Sequence, residues 1–179
     1  LAFVKKDDSL INRELRSNKF NSRIIKVNTK KIEKLLKNIN NNYFLTETNK
    51  ENLSFVIELS KKLNLKNSLL FKTVKNFKGL KYRQQIIYKK HNLTIINDSK
   101  STSFSSSVGI LKANSNIYWL LGGIHKKGDK FNLPKKYFNK IKAFIYGKNK
   151  KFFIKELKGK IEYKNFYHLK DALKKIISI

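Results

Sequence analysis

The sequence predicts an α/β protein whose second half, residues 84–179, is built on a mostly parallel sheet. Two observations support this prediction. Residues 117–121 and 143–146 are continuous apolar runs, which is typical of strands buried on both faces of a parallel sheet. Amphipathic stretches alternate with these runs, as the helices that flank such a sheet do. With 179 residues and 40% hydrophobic composition, the chain can bury a core as one ordinary domain or two small ones.

Elements of the first half follow from local patterns. Residues 1–5 and 23–27 are expected to be strands, and residues 30–37 a helix that ends at the polar run 38–42. A clear amphipathic helix is expected to start near Thr48, because Glu51 follows three residues later as in a capping box. A shorter helix covers residues 68–75, and a domain boundary is expected near Gly79.

Elements of the second half are predicted in the same way. Strands at 84–88 and 93–96 flank a turn, and residues 93–96 are of types that suit a buried strand. A helix at 108–113 precedes the strand at 117–121. After the strand at 143–146 come a helix at 149–157, a short strand at 161–163 and a final helix. That last helix carries one apolar stripe, formed by Leu169, Ala172, Leu173, Ile176 and Ile177.

The charge is strongly basic, with 41 Lys+Arg against 12 Asp+Glu and a formal net charge of +29. Such an excess is typical of proteins that bind polyanions, so one alternative is a basic nucleic-acid-binding α/β domain. The lysines are spread along the whole chain, and Asn and Ile are also abundant. A codon bias toward A and T explains this composition, and we favour that explanation over nucleic-acid binding.

Cysteine and membrane signals are both missing from the sequence. No cysteine is present, which excludes disulfides and thiolate chemistry and fits a reducing compartment. No apolar run approaches the roughly 20 residues that a membrane helix needs, and no signal-peptide pattern is seen. We expect a cytoplasmic protein with no membrane partner. Since the chain begins with Leu1 rather than Met, further sequence upstream is expected.

Two loops carry residues suited to binding anions. Residues 97–103, here called the hydroxyl loop, follow a predicted strand and contain Asp98, Lys100 and four hydroxyl side chains. Residues 122–129, here called the basic loop, follow the next strand and contain Lys126 and Lys127. Ligands of parallel sheets gather where strands end and helices begin. The alternative is structural, with Ser101, Thr102 or Ser103 as helix N-caps and Asp98 holding a turn.

Four sequence motifs resemble those of the Mur ligase family. "INDSKST" at 96–102 is similar to its Asn-Asp-Ser-Lys-Ala-Thr-Asn motif, and "LLGG" at 120–123 with a following lysine is similar to its Gly-Gly loop. "FKGLKYR" at 77–83 resembles its Phe-x-Gly-Leu-x-His-Arg linker, and "TNKEN" at 48–52 its His-Asn-x-x-Asn helix start. The resemblance is greatest to the branch that adds D-glutamate.

This resemblance implies a fold and an activity. Residues 1–79 would be the later part of the central ATPase domain, and residues 80–179 a Rossmann-like C-terminal domain. The implied protein is an ATP-dependent amide ligase of peptidoglycan synthesis that joins D-glutamate to UDP-N-acetylmuramoyl-L-alanine. Its cofactors would be ATP and Mg²⁺, with the metal ligands outside this chain. The oligomeric state is left open, with a monomer favoured.

The resemblance also implies roles for individual residues. Arg83 and Asp98 match positions that hold the nucleotide ribose, Asn52 matches one near the adenine, and Asn49 is the other asparagine of that helix start. Lys100, Thr102 and Lys126 match positions that face D-glutamate and the transferred phosphate, with Lys127 as the competitor of Lys126. Thr48 and Tyr82 stand where the family has histidine.

Parts of the family pattern have no counterpart in the chain. No G-x-x-x-x-G-K-[ST] phosphate loop occurs in the 179 residues, and the upstream magnesium ligands and the modified lysine are also missing. We therefore expect a piece of the enzyme that is inactive alone, or alternatively a non-catalytic relic of the ligase fold.

Overall fold

A computed structural model describes residues 1–179 of the chain, except for the side chains at positions 31 and 34. The chain forms two compact units, Leu1–Gly79 and Leu80–Ile179, and each unit has its own hydrophobic core. None of the helices in the described residues is both long and apolar enough to cross a membrane.

The first unit begins with a small parallel β-α-β arrangement. Strands β1 (Ala2–Lys5) and β2 (Ile24–Val27) pair in parallel with Ala2 opposite Ile24. Helix α1 (Ser9–Ser17) connects them, and its N-cap Asp8 accepts a hydrogen bond from the Ile11 N–H at 3.0 Å. A parallel pair needs such a crossover connection, because its two strands run in the same direction.

Three further helices complete this unit: α2 (Ile32–Leu36), α3 (Glu47–Lys62) and α4 (Asn67–Asn76). Short 3₁₀ helices at Thr29–Lys31 and Asn42–Leu45 precede α2 and α3. The helices enclose a small core made of Ile32, Ile39, Phe44, Leu53 and Val74.

The predicted capping box at Thr48 is wrong. Helix α3 starts two residues earlier, and its N-cap is Thr46, whose hydroxyl accepts a hydrogen bond from the Asn49 N–H at 3.4 Å. The physical reason is that the preceding 3₁₀ helix ends at Leu45 and leaves Thr46 in the extended conformation that an N-cap requires. Thr48 therefore lies in the first turn, and so does Asn49.

The second unit opens with an antiparallel hairpin of β3 (Gln85–Lys90) and β4 (Leu93–Asn97). Leu93 is 56% exposed and Ile95 is 44% exposed. The expectation that residues 93–96 form a buried strand of the parallel sheet is therefore wrong. A connection of two residues, His91 and Asn92, can join only antiparallel neighbours, because parallel ones need a long crossover.

The rest of the second unit is a three-stranded parallel sheet, in the order β5 (Ile117–Gly122), β6 (Ile141–Tyr146) and β7 (Glu162–Phe166). Helices α5 (Phe104–Ala113), α6 (Lys150–Leu157) and α7 (Leu169–Ile177) accompany it, with a 3₁₀ helix at Lys135–Lys140. The central strand β6 contributes Phe144 and Ile145, 1% and 0% exposed, to the interior. The prediction of a mixed α/β protein with mostly parallel sheets is confirmed.

Candidate functional site

Asp98 ties the hydroxyl loop to the segment that precedes β3. Its Oδ1 accepts a hydrogen bond from the Gln84 N–H at 3.0 Å, and its Oδ2 accepts one from the Ser101 hydroxyl at 2.6 Å. The Lys100 N–H donates to the Tyr82 carbonyl at 3.0 Å in the same region. Each carboxylate oxygen has two acceptor positions. The half-buried carboxylate thus keeps acceptor capacity after both contacts are made.

The backbone around Arg83 is held in an uncommon conformation. Tyr82 has φ +63° and Gln84 has φ +49°, both in the left-handed region that side-chain-bearing residues rarely adopt. Such conformations cost about 1–3 kcal/mol each and persist where surrounding contacts hold them. Here the contacts are those from Asp98 and Lys100. Arg83 lies between the two strained residues with its side chain exposed.

The three hydroxyl residues at 101–103 have different environments. The Ser101 hydroxyl binds Asp98, as described above. Ser103 is the N-cap of α5 and accepts a hydrogen bond from the Ser106 N–H at 3.3 Å, so the capping interpretation is correct for this serine. Thr102, between them, is exposed, and no hydrogen bond to its hydroxyl is formed within the described part of the chain. Lys100 is exposed as well.

The two glycines of the basic loop let the chain leave β5. A Cβ on Gly122 would lie 2.5 Å from the backbone oxygen of Tyr146, its register partner on β6. Gly123 has φ +107°, a conformation that glycine adopts without strain. The loop then carries Lys126 and Lys127 into solvent, and both are exposed.

Contacts at both ends and in the middle hold the basic loop in place. The Asn149 side-chain amide donates to the Gly123 carbonyl at 3.4 Å, and the His125 ring stacks on Phe152 with centroids 3.8 Å apart. Asp129 Oδ2 accepts a hydrogen bond from the Phe104 N–H at 2.9 Å. Phe104 is the first residue of α5 and follows the hydroxyl loop directly.

The structure therefore joins the two predicted loops through Asp129, which was not among the site residues predicted from the sequence. The backbone of Thr102 lies two residues from Phe104, and the Asp129 N–H donates to the Lys126 carbonyl at 3.1 Å. The sequence carried one usable signal, an acidic residue shortly after a lysine pair in a very basic chain. Its partner across 25 residues could not be read from that pattern.

The two asparagines of the first unit have different roles. Asn49 is 5% exposed, and its side-chain amide donates to the Tyr43 carbonyl at 2.7 Å, so it stabilises the start of α3. Asn52, on the next turn of the same helix, is exposed to solvent. Of the two, Asn52 has the more accessible amide.

Metal ligation is not suggested by the described residues, among which no group of three or more His, Asp or Glu side chains is placed to hold a metal ion. The positive groups of the two loops, Lys100, Lys126 and Lys127, favour anions instead.

Comparison with known sequences identifies relatives with one shared name. No protein-family model matches the chain. The chain is 32% identical over 127 residues to "UDP-N-acetylmuramoylalanine--D-glutamate ligase" of Wolbachia sp. subsp. Brugia malayi. The aligned residues cover 71% of this chain and 26% of the relative. It is 37% identical over 116 residues to the protein of that name from Rickettsia prowazekii, covering 64% and 26%. A Francisella tularensis relative of the same name is 35% identical over 131 residues, covering 70% and 31%.

Solved structures with the same fold are ligases of related name. The UDP-N-acetylmuramate-alanine ligase MurC from Thermotoga maritima matches with a TM-score of 0.57 at 19% identity, covering 75% of this chain and 32% of that one. MurF from Acinetobacter baumannii also has a TM-score of 0.57 and 19% identity, covering 74% and 31%. The chain thus spans between a quarter and a third of the length of the three sequence relatives it matches.

Proposed function

We propose, on the premise that this chain belongs to the Mur ligase family, that it is part of an ATP-dependent ligase that adds D-glutamate to UDP-N-acetylmuramoyl-L-alanine. The reaction serves peptidoglycan synthesis in the cytoplasm. The observation that carries the proposal is the pair of linked loops. Their exposed groups Lys100, Thr102 and Lys126 lie on segments joined by the Asp129–Phe104 hydrogen bond.

The chemistry of these three residues suits the proposed substrates. D-Glutamate is a dicarboxylate and the activated intermediate is an acyl phosphate, so both reactants bring negative charge to the site. Ammonium groups form strong charge-assisted hydrogen bonds with such anions, and a hydroxyl adds a neutral donor. We assign Lys100 and Lys126 to binding this negative charge and Thr102 to orienting the amino acid. Donors held in place before the reaction stabilise charge that develops in the transition state.

The nucleotide is assigned to Asp98, Arg83 and Asn52. The free acceptor positions of the Asp98 carboxylate fit two ribose hydroxyl donors. Arg83, an exposed planar cation, directly precedes Gln84, whose N–H donates to the Asp98 carboxylate. The exposed amide of Asn52 offers both a donor and an acceptor to an adenine edge. ATP, when bound, supplies the phosphoryl group that activates the substrate carboxylate.

Magnesium does not fit the described residues, because they contain no cluster of carboxylates. We assign its ligands to residues outside this chain and derive no step through the metal. The phosphate loop is also missing from the 179 residues. A nucleotide held only at its ribose and adenine lacks the cradle that drives phosphoryl transfer, and we propose that the chain does not catalyse ligation alone.

A binding experiment on the whole 179-residue chain tests the proposal. In ¹⁵N–¹H spectra, D-glutamate is expected to shift amide signals of residues 100–102 and 126–128, and ATP those of 82–84 and 98. L-Glutamate is the control for the first ligand and GTP for the second. Lys126→Ala should abolish the response to D-glutamate and leave the response to ATP. If neither ligand shifts these signals at tens of millimolar, the proposed function is wrong for this chain.

A further inference from the structure

The basic loop is attached to α5 by one charged hydrogen bond. Asp129 is half-buried, its Oδ2 accepts the Phe104 N–H at 2.9 Å, and Phe104 itself is 3% exposed. Hydrogen bonds with an ionised partner are about twice as strong as neutral ones. A negative group is also favoured at the N-terminus of a helix. Both effects stabilise Asp129 in this position.

Two different acceptors share the N-terminus of α5. Ser103, adjacent to the helix, accepts from the Ser106 N–H, whereas Asp129 accepts from the Phe104 N–H across 25 residues of sequence. The first N–H groups of a helix have no partner inside the helix. Ser103 satisfies one of them locally, so helix formation does not explain why the second acceptor comes from the basic loop.

Asp129 also determines where the lysines of the loop lie. Its N–H donates to the Lys126 carbonyl at 3.1 Å and closes a tight turn in which Gly128 has φ +77°. Two residues further on, the Phe131 N–H donates to Glu156 Oε2 at 3.0 Å. Position 129 is therefore the point at which the turn bearing Lys126 is joined to the segment bearing Thr102.

We propose that Asp129 is a positioning residue that sets the separation between Lys126 and Thr102 by anchoring the lysine turn to the first N–H of α5. It contacts neither substrate itself. This inference rests on the proposed function for its consequence, the binding of D-glutamate, but its structural part is independent of that function.

Asp129→Asn in the whole chain is the test, with Ser103→Ala as the matched control. Asp129→Asn replaces a charged acceptor by a neutral amide oxygen and Ser103→Ala removes an acceptor at the same helix terminus, but only the first weakens the connection to the basic loop. Asp129→Asn should shift the amide signals of residues 125–128, increase hydrogen exchange at Phe104 and weaken D-glutamate binding about tenfold, as expected when a neutral hydrogen bond replaces a charged one. Ser103→Ala should change exchange at Ser106 and leave residues 125–128 and D-glutamate binding unchanged.

The results test two claims separately, the positioning role of Asp129 and the binding of D-glutamate. If Asp129→Asn moves residues 125–128 no more than Ser103→Ala does, Asp129 is not a positioning residue. If the unmodified chain does not bind D-glutamate, the proposed function fails, while the comparison of loop signals still decides the role of Asp129. Should Asp129→Asn not fold, the scalar coupling across the hydrogen bond between the Phe104 ¹⁵N and the Asp129 carboxyl ¹³C can be measured in the unmodified chain. Its absence would equally overturn the proposal.

Discussion

Asp98 accepts a hydrogen bond from the backbone N–H of Gln84 at 3.0 Å, although the two residues are 14 positions apart. This contact holds Arg83 between two residues with positive φ and places it beside the carboxylate assigned to the same nucleotide. The motif residues of the second unit are thus connected to each other before any ligand binds. Preorganisation of this kind lowers the ordering cost of binding.

Asp98→Asn should lower the free energy of unfolding of the second unit by about 1–2 kcal/mol, since an amide has one acceptor oxygen and must leave one of the two donors without its partner. Urea unfolding followed by Trp119 fluorescence measures this, because Trp119, in β5, is the only tryptophan in the sequence. Asp171→Asn, in an exposed first turn of α7, is the control and should have a smaller effect. Equal effects of the two substitutions would contradict the structural role of Asp98.

Asn49→Ala and Asn52→Ala should separate stability from nucleotide binding. Loss of the buried amide that donates to the Tyr43 carbonyl should destabilise the first unit by about 1–3 kcal/mol. Asn52→Ala removes an exposed side chain and should leave stability unchanged while it weakens the response to ATP. Urea unfolding followed by amide signals of α3, with an ATP titration of each variant, distinguishes these outcomes. A stable Asn49→Ala chain with weakened ATP binding would assign Asn49 to the ligand instead.

Gly122→Ala should destabilise the parallel sheet, because the new methyl carbon would lie 2.5 Å from the Tyr146 backbone oxygen. Backbone atoms of a neighbouring strand cannot move aside cheaply, and overpacking typically costs about 1–3 kcal/mol. Gly128→Ala is the control, since it has open space around it and adds only the strain of φ +77°. Trp119 fluorescence in urea should show the larger loss for Gly122→Ala. The reverse order would mean that β5 and β6 adjust freely at this point.

The ion pair of Lys5 with Glu51 should stabilise the first unit at neutral pH, and this effect should be lost at high pH. The hydrogen bond that Lys5 donates to the Glu51 carboxylate raises the pKa of Lys5, and burial opposes this only in part. The pair therefore stabilises the folded first unit below the ordinary lysine pKa, and the contribution is lost as pH rises through the raised pKa. The difference in unfolding free energy between the unmodified chain and Glu51→Gln should be under about 1 kcal/mol at neutral pH and should vanish at higher pH.

A suitable control for this pH dependence is Glu33→Gln, which changes an exposed carboxylate of α2. Its difference from the unmodified chain should be the same at pH 8 and above pH 10. Subtracting the unfolding free energy of each variant from that of the unmodified chain at the same pH cancels the general effect of deprotonating many lysines. A Glu51→Gln difference that does not shrink at high pH would show that the pair contributes nothing through the charge of Lys5.

RNA binding by the chain should be weak and nonspecific. With a net charge of +29, the chain is expected to shift labelled RNA at low salt and to lose this binding steeply by about 150 mM salt. Lys126→Ala should change RNA affinity no more than Lys164→Ala, a substitution of an exposed lysine on β7. Tight, sequence-selective binding at physiological salt would support the nucleic-acid alternative over the ligase.

Local patterns predicted many elements of this chain correctly. The buried strands β5 and β6 were predicted because short continuous apolar runs are typical of a parallel sheet covered on both faces. Helices α4, α6 and α7 were predicted because their apolar residues recur at helical spacing. The start of α3 was misplaced by two residues, because Thr46, Thr48 and Asn49 are all residue types suited to an N-cap. The burial of residues 93–96 was misjudged, because an apolar run does not reveal whether another layer covers it.

The amino-acid sequence by itself determined the α/β class, the family and the segments that carry the candidate site, because these depend on residue types at short, regular spacing. Only the tertiary structure decided which polar groups are already occupied: Asp98 with Gln84 and Ser101, Asn49 with Tyr43, and Asp129 with Phe104. Two of these four contacts, Asp98 with Gln84 and Asp129 with Phe104, join residues far apart in the chain. The donor and acceptor of a hydrogen bond must be placed to within a few tenths of an ångström. Such precise placement exists only once the intervening strands and helices have packed.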